Sequence, residues 1–88
     1  MTLSGRVQAV GFRQTVLALA ARYAVAGTVR NLRQGGRLEI DAEGEEGAVR
    51  AFFDDVIAHP PHFARIDRVE RAAAEPRGAA GFREAPSA

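Results

Sequence analysis

Two residues can do chemistry together with the backbone around them: Arg13 and Asn31. Arg13 closes the stretch Gly5-Arg6-Val7-Gln8-Ala9-Val10-Gly11-Phe12-Arg13, where a run of strand character ends in small residues and a helical pattern begins. Strand, small-residue turn and helix start form the arrangement in which backbone N–H groups converge on an anion. An arginine at the helix start adds a charged fork to such a cradle. The backbone of Ala9, Val10, Gly11, Phe12 and Arg13 is therefore a candidate phosphate-binding loop. The competing reading is a plain strand-to-helix turn with a surface arginine. Asn31 offers a donor and an acceptor without charge, so it can orient a water without titrating. Its competing reading is a strand-end asparagine bonded to its own backbone. His59 and His62 flank Pro60-Pro61 without a nearby carboxylate pair, so they read as a surface loop rather than a metal site.

Composition narrows the partners. A chain of 88 residues is expected to form one domain with a small core. Twelve arginines and no lysine face eleven acidic residues, a net charge of +1 that gives no general case for a nucleic-acid or membrane-surface partner. Without cysteine there is no disulfide framework, thiolate nucleophile or Cys-based metal site. The apolar runs are too short for a signal peptide or a transmembrane span. The expectation is a soluble, cytoplasmic monomer with a small-molecule partner and no metal or cofactor.

The elements that must position Arg13 and Asn31 follow from periodicity. Thr2 to Gln8 alternates, with Leu3, Gly5 and Val7 on one side, and reads as a strand. Phe12, Val16, Leu19, Ala20 and Tyr23 form a helical stripe, with the helix expected to end near Ala26 and Gly27 as its stop. Thr28 to Leu32 reads as a strand, Arg33 to Gly36 as a turn, and Arg37 to Glu43 as a strand with Leu38, Ile40 and Ala42 inward. Gly44 is expected to open a second helix, with Glu45 and Glu46 in its first turn. Val49, Phe52, Phe53, Val56 and Ile57 form its apolar stripe, and Glu46 is spaced to pair with Arg50. The His59-Pro60-Pro61-His62 run stops it. Ile66 to Arg71 reads as a fourth strand, and Gly81 to Ala85 as a short fifth one. The tail after about Pro86 is expected to be loose.

The order β-α-β-β-α-β, with one apolar stripe per helix, places both helices on one face of a single sheet. That is an α+β sandwich of ferredoxin-like type, expected with an antiparallel sheet. This fold hosts many activities and does not by itself decide among them.

The stretch Gly5 to Arg13 closely resembles the first signature of the acylphosphatase family. Gly27-Thr28-Val29-Arg30-Asn31, followed by Gly36, Leu38 and Gly44, is similar to the second, and Ile66-Asp67-Arg68-Val69 resembles the family's late strand. The resemblance runs from about Leu3 to Arg71 and implies the ferredoxin-like sandwich. It also implies that Arg13 binds the phosphate of an acyl phosphate and that Asn31 positions the attacking water. The chain departs from the family pattern at Ala9, where glycine is usual, and at Thr28, where an aromatic is usual. The turn after Asn31 is one residue longer than the common pattern. If position 9 has a left-handed backbone, alanine there costs about 1–2 kcal/mol.

The sparse chemistry suits such a substrate. A carboxylate leaving group needs little protonation, so the protein has mainly to neutralise phosphate charge and place a water in line. No nucleophilic side chain, general base or metal is required. Two alternatives stand beside hydrolysis of acyl phosphates to a carboxylate and phosphate. One is a non-catalytic ferredoxin-like module binding an anion or a protein. The other is a carbamoyl-phosphate-acting domain like that of the hydrogenase-maturation carbamoyltransferases, the first part of much longer chains with cysteine-rich zinc segments, and the absence of cysteine argues against it.

Overall fold

The computed structural model describes residues 1–73 and 75–88. Five strands and two helices follow one another as β1 (Thr2–Arg6), α1 (Phe12–Ala20), β2 (Val25–Leu32), β3 (Arg37–Gly44), α2 (Glu46–Ala58), β4 (Arg65–Glu70) and β5 (Phe82–Glu84). The strands make one sheet in the order β4-β1-β3-β2-β5. All neighbours are antiparallel except β5, which runs parallel to β2.

One face of this sheet is apolar because the alternation puts Leu3, Val29, Leu38 and Ile40 on it. Val16 of α1 and Phe52 of α2 are fully buried in the same cluster as these four. Both helices therefore cover one face, as their single stripes require. Each fully buried aliphatic or aromatic side chain contributes about 1.5–3 kcal/mol relative to exposure. The exposed Arg50–Glu46 pair at 3.0 Å forms as spaced, but a solvated pair of this kind adds little.

The structure corrects several boundaries. The first helix ends at Ala20, not near Ala26. The N–H groups of Ala21, Arg22 and Tyr23 turn back on Leu17, Leu19 and Ala20, and Val25 already pairs with Gly44. The run of alanines favours helix, but sheet pairing of residues 25–27 outweighs that preference. Gly27 is consequently no helix stop. It lies within β2 at φ 149°, where a Cβ would come within 1.8 Å of the Asp41 carbonyl oxygen. Glycine is required there by the close approach of β3. Gly44 ends β3 rather than opening α2, and Glu45 is the N-cap residue while Glu46 begins the first turn.

The sheet is mixed rather than antiparallel. Phe82, Arg83 and Glu84 pair with Gly27, Thr28 and Val29 in parallel register, because β4 at the far edge runs opposite to β2 and the chain reverses direction once before β5. The last residues make backbone hydrogen bonds to β2 and the turn after it. Ala85 N–H donates to the Val29 carbonyl, Ala88 N–H to the Asn31 carbonyl at 3.0 Å, and Arg33 N–H to the Ala88 carbonyl at 2.6 Å. The unpaired edge of β2 supplies those partners.

Candidate active site

Strand β1 and helix α1 are joined by residues 7–11. Val7 anchors this loop in the core, only 1% exposed. The Gln8 amide Nε2 donates to the Leu32 carbonyl at 2.7 Å and the Arg37 carbonyl at 2.9 Å, at the neck of the β2–β3 hairpin. One side chain thus fixes the loop against the end of β2, where Asn31 lies. Ala9 adopts φ 58°, the left-handed conformation in which alanine is strained. Gly11 follows at φ 78°, ψ 16° as the N-cap of α1. A Cβ on Gly11 would meet nothing within 4 Å, so its backbone angle and not crowding calls for glycine.

The Gly11 carbonyl accepts from both the Thr15 N–H and the Thr15 hydroxyl. No side chain caps α1, so the N–H groups of its first turn have no partner inside the helix. Among the described residues, the N–H groups of Ala9, Val10 and Gly11 likewise meet no acceptor of the chain. A run of such donors at the positive end of a helix favours a bound anion.

Beside the loop lies a cleft of about 140 Å³ lined by Ala9, Gly11, Phe12, Arg13, Asn31 and Glu84, with Val7 and Gln14 completing it; Val10 is not part of its lining. Arg13 and Asn31, eighteen positions apart in the chain, therefore share one cleft with the loop. The Val10 side chain instead packs against the core, which leaves only its backbone for the loop. Among the described residues Arg13 makes no ion pair within 4 Å.

Asn31 owes its place to register. It pairs with Leu38, which pairs with Leu3, so all three point to the helix-bearing face. Leu3 and Leu38 are fully buried there, whereas Asn31, at the end of the row, reaches the cleft. Its Oδ1 is buried and has no hydrogen-bond partner among the described residues. Leaving an acceptor buried and unpaired costs about 1–3 kcal/mol, so the position is not explained by packing alone. The side chain does not bond its own backbone, which was the competing reading.

Two contributors were not singled out in the sequence: Gln8 as a tether and Glu84 as a lining residue. Glu84 carried a signal, because a carboxylate two residues after Phe82 interrupts the apolar face of β5. Gln8 carried none, since its two acceptors are carbonyls defined only by the fold. The histidines lie in other surroundings. His59 Nδ1 is 2.7 Å from Asp55 Oδ1, and the Tyr23 hydroxyl donates to Asp55 Oδ2 at 2.7 Å. The hydrogen bond from Tyr23, then that from His59, holds the Asp55 carboxyl below its ordinary range. His62 packs edge-on against Phe63.

A second cavity, about 520 Å³, lies on the helix-free face beneath residues 75–81. There Glu43 accepts hydrogen bonds from the N–H groups of Arg77 at 2.7 Å, Gly78 at 3.3 Å and Ala79. The bond from Ala79 leads the causes that hold the Glu43 carboxyl below its usual value.

Known proteins resemble this chain over most of its length. The family model described as acylphosphatase matches residues 1–84. An acylphosphatase of Anaeromyxobacter dehalogenans is 44% identical over 81 residues, covering 92% of this chain and 85% of its own. The crystal structure of acylphosphatase from Bacillus subtilis superposes with a TM-score of 0.84 at 34% identity, over 96% of this chain and 92% of that one. A full-length HypF, solved in a phosphate- and nucleotide-bound form, matches with a TM-score of 0.90 at 34% identity, over 98% of this chain but 11% of its own. With two family signatures converging on one cleft and a family match across residues 1–84, the chain belongs to the acylphosphatase family.

Proposed function

We propose that the cleft between the 9–13 loop and Asn31 hydrolyses acyl phosphates to a carboxylate and inorganic phosphate. The observation that carries this reading is the shared cleft itself, which Arg13, Asn31 and the loop residues Ala9 and Gly11 with their unpartnered N–H groups all line. The N–H groups of residues 9–13 and the Arg13 guanidinium hold the phosphate oxygens. They gain most as charge builds on those oxygens in the transition state. The Asn31 side-chain amide hydrogen-bonds a water in the cleft and leaves a lone pair of that water turned toward phosphorus. The water attacks, the P–O bond to the acyl carboxylate breaks, and the carboxylate leaves with the bond's electrons. Because that leaving group is a weak base, no general acid is required. The protein acts as a monomer on a small molecule in the cytoplasm, as a single domain over residues 1–88, and has no nucleic-acid partner.

The test is benzoyl phosphate hydrolysis by the wild type and by Asn31→Ala, with inorganic phosphate as inhibitor. The variant should lose about 10²-fold in kcat while phosphate inhibition stays nearly constant, since Asn31 touches the water and not the anion. Normal turnover by Asn31→Ala removes the water-positioning role. An inactive wild type that still binds phosphate favours the non-catalytic module instead.

A further inference from the structure

The cleft contains one charged group that the proposed reaction does not use. Glu84 pairs with Val29 in the parallel β2–β5 ladder, and Val29 is fully buried on the helix-bearing face. Two residues earlier, Phe82 confirms the direction of that face, with its ring edge-on to Phe52 at 5.4 Å. Alternation along the strand carries Glu84 to the same side, where an apolar residue would continue the pattern. It instead lines the cleft together with Arg13 and Asn31. Among the described residues Glu84 makes no ion pair within 4 Å, so no short contact with Arg13 cancels its charge. The cleft's two charged side chains are thus one cation for the phosphate and one free carboxylate beside it.

We propose that Glu84 is a specificity residue that makes the cleft select substrates by the charge of the acyl group, favouring uncharged acyl groups over those that carry a second anion. The inference rests on the acyl-phosphate reading of the same site. Any group bound in a cleft of about 140 Å³ is well within a screening length of the Glu84 carboxylate. The phosphate must accept that repulsion for every substrate, offset by Arg13 and the loop N–H groups. An additional carboxylate on the acyl side has no such compensation.

The experiment compares kcat/KM for benzoyl phosphate, with an uncharged acyl group, and succinyl phosphate, whose acyl group carries a carboxylate. Wild type, Glu84→Gln and Glu84→Asp are assayed at low ionic strength and at high salt. The benzoyl-to-succinyl ratio should fall about three- to tenfold in Glu84→Gln, the size of one screened charge–charge interaction at this range. Glu84→Asp should retain the wild-type ratio, and high salt should erase the difference. A ratio in Glu84→Gln within about twofold of wild type at low salt overturns the proposal. So does an equal loss on both substrates, which would make Glu84 a packing residue. Should Glu84→Gln fail to fold, the wild-type ratio decides alone, because it must drop as salt rises. Wild type inactive on both substrates would defeat the acyl-phosphate reading itself, whereas active wild type with an unmoved ratio defeats only the role of Glu84.

Discussion

Two stretches of this chain gather backbone N–H groups around a negative charge, and they differ in the source of that charge. At Arg77, Gly78 and Ala79 the anion is the carboxylate of Glu43, which extends from β3. At residues 9–11 and in the first turn of α1, no acceptor of the chain meets the donors among the described residues. The first arrangement is a staple that holds residues 77–79 to the sheet. The second, whose cleft Arg13 and Asn31 also line, is the one we propose takes its anion from solution. The same physical device is structural when a strand delivers a carboxylate into it, and in the proposed reading it becomes a binding site when an arginine stands there instead.

The largest expected effect breaks the open site. Arg13→Lys keeps the charge but loses the planar fork that can make two parallel hydrogen bonds to phosphate. It should lower kcat/KM for benzoyl phosphate by about 10²–10³-fold and weaken phosphate inhibition as well. Near-normal kinetics in this variant would mean that charge alone suffices and that the fork is irrelevant.

An intermediate effect tests how far the loop is held under strain. Ala9 is the one non-glycine described with positive φ. Ala9→Gly should relieve that strain and, after the entropy cost of glycine, stabilise the protein by about 1 kcal/mol. Urea denaturation measures it, and a midpoint that stays put or falls would show that the loop accommodates alanine without cost.

The smallest effect concerns the staple. The folded-state value of Glu43 lies below its ordinary 4.5. A depressed carboxylate contributes stability above its unfolded pKa and loses it as pH drops through the lowered folded value. Glu43→Gln should therefore melt slightly below wild type at neutral pH, with the gap closing under acid conditions, and should leave benzoyl phosphate turnover intact. A gap that persists at low pH would assign the effect to side-chain shape rather than charge.

The sequence makes the open site more legible than the staple, for a physical reason. Arg13, Gly11 and Asn31 announce themselves by residue type next to a turn or strand end, and local pattern places each of them. The inward rows of Leu38 and Ile40 on β3 and of Val16 and Phe52 on the helices are legible in the same way. Glu43 looks like any outward residue of a strand, because its partners are main-chain donors more than thirty positions away. The end of α1 was hidden by helix-favouring alanines, and only pairing with β3 reveals that Val25 is already strand. The parallel course of β5 was hidden because three residues carry too little pattern to state a direction. Glu84 falls between these cases: its type was visible, but its neighbours depended on which strand β5 joined.

That placement of β5 has a consequence for solubility. Strand β2 spans Val25–Leu32, eight residues with free edge positions that could recruit a second chain. The segment from Phe82 to Ala88 occupies that edge from Gly27 to Arg33, so the new edge is a three-residue strand with Arg83 and Glu84 on its two faces and Pro86 just beyond it. At the opposite margin, β4 presents Arg65, Asp67, Arg68 and Glu70 along six residues. Charge and proline are the features that discourage edge-to-edge growth of sheets. The last residues thus complete the wall of the cleft and at the same time shield the sheet from aggregation.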